Sequence, residues 1–372
     1  MLEKIKNLEF LRTLGCISIV LLHFFIPLSS KFPLVWNCNY LLFGYNTSNG
    51  DKAVDLFFIL SGLFFTIKIT STLKMQSLYE FVKKKVLRLW PVLIWVIFLD
   101  FILSLTGIIN FSFLGYIITL LGLNGNGIGI QLGYVSVFWY VSAMLWVLIL
   151  YFYLLKNFDK KKVNLVIALL IYFSYVFLLH VKDGHIGSHI QTFYFIFNVG
   201  ILRALGGIGI GYFIGEWYKN NLSRIKTLTL SIKSTIILTI IELGCLYFII
   251  KNLIISKLRF PNQFIFMIFF SAIIVLFLWN KGYISKALSN NFSLFLGKYT
   301  YSIYMTHNTI IKLLNGTIWE YHPEIVFKYP VLNIVIGLFA IFILGVFTYH
   351  FIEKPMADII LKKQSANQHS PK

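Results

Sequence analysis

Charge is scarce in this chain of 372 residues: Asp, Glu, Lys and Arg together make up only 13%. A soluble domain carries about 25%, so an ordinary water-facing globule is excluded. Acidic residues are the rarer sign, 14 against 33 Lys and Arg, which leaves a formal net charge of +19. That excess raises nucleic acid as a partner. The basic residues nevertheless sit in short clusters between apolar runs and form no continuous arm or stripe, so no nucleic-acid partner is expected. Cysteine is almost absent. Cys16, Cys38 and Cys245 are an odd, scattered set, pointing to neither a disulfide framework nor a zinc cluster, and no metal is expected.

Apolar residues dominate instead, at 58% with 18% aromatic, and make the bilayer the main solvent. A spanning helix needs about 20 mainly apolar residues. Ten such runs lie near 8–28, 53–70, 89–107, 133–155, 163–180, 194–217, 234–250, 263–280, 292–314 and 330–352. The first run resembles a signal peptide in length, but Arg12 and His23 interrupt it and no small-residue cleavage pattern follows, so it reads as a helix of the mature protein. The stretch 111–123 is too short to span and reads as an interfacial or re-entrant piece before the glycine-rich loop 125–133.

With the N-terminus in the cytoplasm, the inside segments hold 22 Lys and Arg and the outside segments 7. By the positive-inside rule both termini are then cytoplasmic. The expected fold is all-α, a polytopic membrane bundle of about ten helices, N-in and C-in, with one transmembrane domain over 1–358 and a polar, frayed tail over 359–372.

Ionisable groups inside a span are costly and survive mainly where they line a cavity or meet a partner. Arg12, His23, Asp55, Asp100, Arg203, Glu242 and His307 are such groups. Arg12 and His23 are eleven positions apart, about 1100° of helix rotation and so one face, with about 16 Å between them along the axis. That distance is comparable with the extended pantetheine arm of coenzyme A. One reading puts phosphates on Arg12 and a thioester at His23. The other makes Arg12 a snorkelling or structural residue, paired with Glu353, and His23 an unrelated buried histidine.

Asp55, at the outer start of the second run, is expected at the depth of His23. It either orients the imidazole or caps its own helix. The basic collar KKKVLRLWP at 83–91 suits anionic lipid heads or a nucleotide phosphate, with lipid the default. His180, Asp183, His185 and His189 are residue types that bind zinc, but an exposed polar loop is the simpler reading. The loop GLNGNGIGIQLG lacks the Lys-Ser/Thr of a P-loop and does not follow a strand. Tyr301, Tyr304 and His307 recur every three residues along one helix side, for packing or for glycan contact.

These residues together resemble acyltransferase family 3, from end to end. Arg12 and His23 stand in its R-x10-H arrangement. AVDLFFILSG at 53–62 resembles the next motif, with Asp55 and Ser61 in place, and KKKVLRLWP the basic motif, with Arg88 on its arginine. LGKYTYSIYMTH at 296–307 and FIEKP at 351–355, with Glu353, resemble the late motifs. Where many members carry a carboxylate-rich motif, this chain reads FWYVSAMLWVL, with Trp139 and Ser142 but no acid, as in the branch acting on surface polysaccharides.

The resemblance implies a multi-pass enzyme of the bacterial cytoplasmic membrane with no permanently bound cofactor. It would transfer an acyl group, acetyl first among the candidates, from acyl-CoA to a sugar hydroxyl of a surface polysaccharide or lipid-linked glycan. His23 would be the base with Asp55 its orienter, Arg12 and Arg88 would meet the donor, and Arg203 would serve a phosphate or oxyanion. An ion pair with a carboxylate is the alternative for Arg203. Ser61, Trp139, Ser142, Tyr301, Tyr304, His307 and Glu353 would be acceptor or structural positions. A glycan-lipid flippase is the competing class; it would be expected to show internal repeats with paired broken helices, and no such self-similarity is present.

Overall fold

The computed structural model describes residues 5–32, 47–73, 76–124, 135–181, 192–193, 197–255 and 264–359. Cys38, Asp183, His185, His189, the glycine-rich loop 125–133 and the tail from 360 lie outside the described residues.

Fifteen α-helices occur among the described residues. They are α1 (Lys6–Lys31), α2 (Ala53–Thr72), α3 (Leu78–Leu105), α4 (Phe113–Leu120), α5 (Trp139–Asn157), α6 (Lys160–Val181), α7 (Val199–Thr227), α8 (Ile232–Ile250), α9 (Ile265–Trp279), α10 (Tyr283–Leu288), α11 (Asn291–Gly297), α12 (Thr300–Asn315), α13 (Ile318–Tyr321), α14 (Pro323–Lys328) and α15 (Pro330–Thr348). The one extended pairing described is two residues a side, Thr192–Phe193 with Phe197–Asn198. The reason is physical: in hydrocarbon a helix satisfies its own backbone, whereas open strands do not.

Every expected apolar run contains helix, and seven helices among the described residues are long and apolar enough to cross a membrane. The other three runs differ. α2 has 20 residues and is buried almost throughout, and α9 has 15. The ninth run is broken: α11 ends at Gly297, and α12 begins at Thr300. As its length required, 111–123 holds only the eight-residue α4.

Two close approaches set the architecture. On α7, Arg203, Gly207, Gly211 and Gly215 recur every four residues and face α2. A Cβ on Gly211 would stand 2.0 Å from the Ile59 carbonyl oxygen, and one on Gly62 would stand 2.1 Å from that of Ile208. The two backbones therefore touch, as small residues permit in membrane helices. The second is the register of α1 with α12. Cys16 Sγ donates to the Thr300 carbonyl, His23 meets His307 and Lys31 Nζ donates to the Asn315 carbonyl, each pair 284 positions apart. The two helices thus run parallel, with one face of α1 along α12.

Candidate active site

The shared register brings two histidines together. His307 Nδ1 lies 2.6 Å from the Tyr304 carbonyl oxygen. A carbonyl only accepts, so that nitrogen carries the proton, and in the neutral ring Nε2 is left as an acceptor. His23 Nδ1 lies 2.7 Å from this Nε2 and donates to it. The other nitrogen of His23 is then left with a bare lone pair, the form a general base needs. The ring planes are 3° apart with centroids 5.0 Å apart. With nitrogens this close, the rings lie side by side in one plane, aligned for hydrogen bonding rather than stacked face to face.

The sequence puts Asp55 at the depth of His23, as its orienter or as a helix cap; in the structure its hydrogen bonds go to Arg203. Arg203 Nε donates to Asp55 Oδ1 at 3.0 Å and Nη2 to Oδ2 at 2.8 Å, with both side chains fully buried. Arg203 Nη2 also donates to the Asp51 carbonyl at 2.8 Å, and the guanidinium lies 5.3 Å from the Trp139 ring. The touching of α2 and α7 explains the pair, because Arg203 is the first member of the face that the glycines continue. The residue hydrogen-bonded to His23 is thus His307 rather than Asp55, and Arg203 makes the ion pair with a carboxylate that was its alternative reading. Asp51 is the carboxylate whose charge reaches His23. It also bonds Lys52 at 2.7 Å, whose ammonium is pushed below its ordinary range by burial, with Asp51 pulling the other way.

Arg12 is half-buried and its Nη1 donates to Glu9 Oε2 at 2.7 Å. Glu9 in turn packs on Gly297, where a Cβ would come within 2.4 Å of Oε2, so the end of α11 seats the Glu9–Arg12 pair. Glu353, the other partner considered for Arg12, accepts instead from Ser302 Oγ at 2.6 Å. The described geometry therefore holds a histidine with one unprotonated nitrogen at one end of an α1 face and an arginine near the other.

A model of the Acyl_transf_3 family, described as an acyltransferase domain, matches residues 5–350. The chain belongs to acyltransferase family 3. No curated protein and no solved structure matched it.

Several motif residues of this membrane acyltransferase have structural employment. Tyr301 donates to the Leu89 carbonyl at 2.7 Å and Tyr304 to that of Val137 at 2.8 Å, tying α12 to α3 and to the turn before α5. Ser142 and Trp146 both donate to the Gly122 carbonyl, holding the end of α4. Ser61 Oγ lies 3.2 Å from both the Tyr140 hydroxyl and Met144 sulfur. Arg88 is exposed on α3. Glu242 accepts from the Ser285 amide at 3.1 Å, supplying a carboxylate to the start of α10. Among the described residues there is no group of three or more His, Cys, Asp or Glu suited to a metal ion.

The acyltransferase also has a cavity of about 280 Å³ beside His23, lined by Pro27, Ser136, Asn308, Lys312, Asn315 and two isoleucines. Sequence reasoning passed over Asn308, Lys312 and Asn315. The signal was present: with Ile311 they recur at helical spacing beyond His307, but Lys312 lies within an apolar run and looks like a boundary charge.

Proposed function

We propose that this acyltransferase moves an acyl group, acetyl first among the candidates, from acyl-CoA to a sugar hydroxyl of a surface polysaccharide or lipid-linked glycan at the bacterial cytoplasmic membrane. His23, which lines a cavity and whose Nε2 is left unprotonated, carries this reading. A hydroxyl there hydrogen-bonds to Nε2, gives up its proton to it, and its oxygen attacks the thioester carbonyl carbon. The tetrahedral intermediate collapses with cleavage of the C–S bond. The thiolate of coenzyme A leaves and recovers the proton from His23, so one ester and one thiol replace one alcohol and one thioester.

His307 supports the step by accepting from His23 Nδ1, which stabilises the imidazolium while the proton resides on His23. General-base help of this kind contributes about 10² to 10⁴ in rate; positioning of the two substrates supplies more. Arg12 is the anchor for donor phosphates, since guanidinium offers a fixed fork of donors of which Glu9 occupies only part. Mass spectrometry of surface glycans from cells with and without the protein tests the function. The expected difference is one acyl group per acceptor unit, and identical glycan masses would overturn the reading.

A further inference from the structure

We propose that the cavity beside His23 is the acceptor subsite and that it selects a single uncharged sugar ring. The proposal rests on the acyl-transfer reading and adds the class of acceptor. Size argues first. At about 280 Å³ the space falls just below the ~300 Å³ at which drug-sized pockets begin, room for one pyranose rather than an oligosaccharide.

The wall chemistry is that of a sugar site. Asn308 donates from Nδ2 to Ser136 Oγ at 3.2 Å, leaving its carbonyl oxygen and second amide hydrogen for a ligand. Asn315 Oδ1 has no hydrogen-bond partner among the described residues, and a hydroxyl is the donor it lacks. Pro27 has no N–H to return to the His23 carbonyl one turn earlier, which adds an acceptor next to the base. Ile26 and Ile311 supply apolar surface for the C–H face of a ring.

Charge then decides between neutral and anionic sugars. Among the described residues the one ammonium on the cavity wall is Lys312; it bonds Asp100 Oδ2 at 2.8 Å, and Asp100 is almost fully buried and also accepts from Tyr116 at 3.1 Å. Lys31, which bonds the Asn315 carbonyl, is likewise paired, with Glu320. An anion drawing Lys312 away would strand a buried carboxylate, which is strongly unfavourable. A neutral ring uses the same donors and leaves the pair intact.

The test uses the full chain in lipid nanodiscs and saturation-transfer NMR, with empty nanodiscs as control. The probes are methyl glucoside, methyl galactoside and N-acetylglucosamine against glucuronic acid and glucose 1-phosphate. At least one neutral sugar should show saturation and the anions should not. Asn308→Ala should weaken the neutral sugar about three- to tenfold, and Ile311→Trp, which fills the cavity, should remove binding. An unchanged melting temperature and unchanged acetyl-CoA shift in Asn308→Ala guard against a folding effect. Stronger saturation of either anion, neutral binding that survives both variants, or saturation by none of the sugars would each overturn the proposal. Glycans that lose no acyl group in the absence of the protein would instead overturn acyl transfer alone, since sugar binding is read here without it.

Discussion

His23 and His307, from helices at opposite ends of the chain, share a hydrogen bond of 2.7 Å with their rings in one plane. His23→Ala is expected to abolish transfer while the protein stays folded and inserted. His307→Ala should leave residual activity, because the base remains but its tautomer is no longer held. Since the two act as a unit, the double variant should be no worse than His23→Ala. The rate should rise with pH as Nε2 loses its proton, and His307→Ala should displace that profile. Initial rates in vesicles across pH check this; an unmoved profile would reduce His307 to packing.

Arg12 is expected to hold the donor. Arg12→Lys should weaken acetyl-CoA binding in part, because lysine keeps the charge and loses the fork, and Arg12→Ala should weaken it strongly. His23→Ala should bind acetyl-CoA about as well as the parent protein. The thermal shift on adding acetyl-CoA is the readout, and an unchanged shift in Arg12→Ala would sink the donor role.

Removing one partner of the Asp55–Arg203 pair leaves a buried charge alone. Asp55→Ala or Arg203→Ala should therefore cost about 3–5 kcal/mol, whereas Asp55→Leu with Arg203→Met should recover much of the loss. Unfolding in detergent measures both. Wild-type stability in Arg203→Ala, combined with a lost acetyl-CoA shift, would return Arg203 to the donor site.

Gly211→Ala forces its new Cβ against the Ile59 carbonyl oxygen and should destabilise by about 1–3 kcal/mol. Gly244, on α8, has nothing within 4 Å of its added Cβ. Gly244→Ala is the control, and should be neutral or slightly stabilising through helix propensity. Equal losses at the two sites would refute close packing of α2 on α7 as the cause.

The ten spans and cytoplasmic termini expected from the sequence would place Lys31 outside and Lys161 inside. Cysteines introduced at these positions should react with an impermeant maleimide from opposite faces of sealed vesicles. Labelling from the same face would require a different topology.

The bounds of α2, α6 and α8 follow from local composition, because an apolar run in a bilayer has few alternatives to helix. The break at Lys298–Tyr299 is less legible: the run reads as one span, and Gly297 ends its first helix where the backbone approaches Glu9. Arg12 and His23 were visible as a one-face pair since rotation per residue is a local constant. His307 was visible as an intramembrane ionisable group, but not as the partner of His23.

What the sequence by itself determined is therefore the helical content, the membrane as solvent, the family and the placing of Arg12 and His23 on one face of α1. Tertiary structure alone decided the pairings: Asp55 with Arg203, 148 positions away, and His23 with His307, 284 away. Helical periodicity assigns each residue to a face of its own helix. Which faces meet depends on where backbones can touch, at Gly62 against Ile208 and Gly211 against Ile59, and on the parallel register of α1 with α12, neither of which is encoded within a single run.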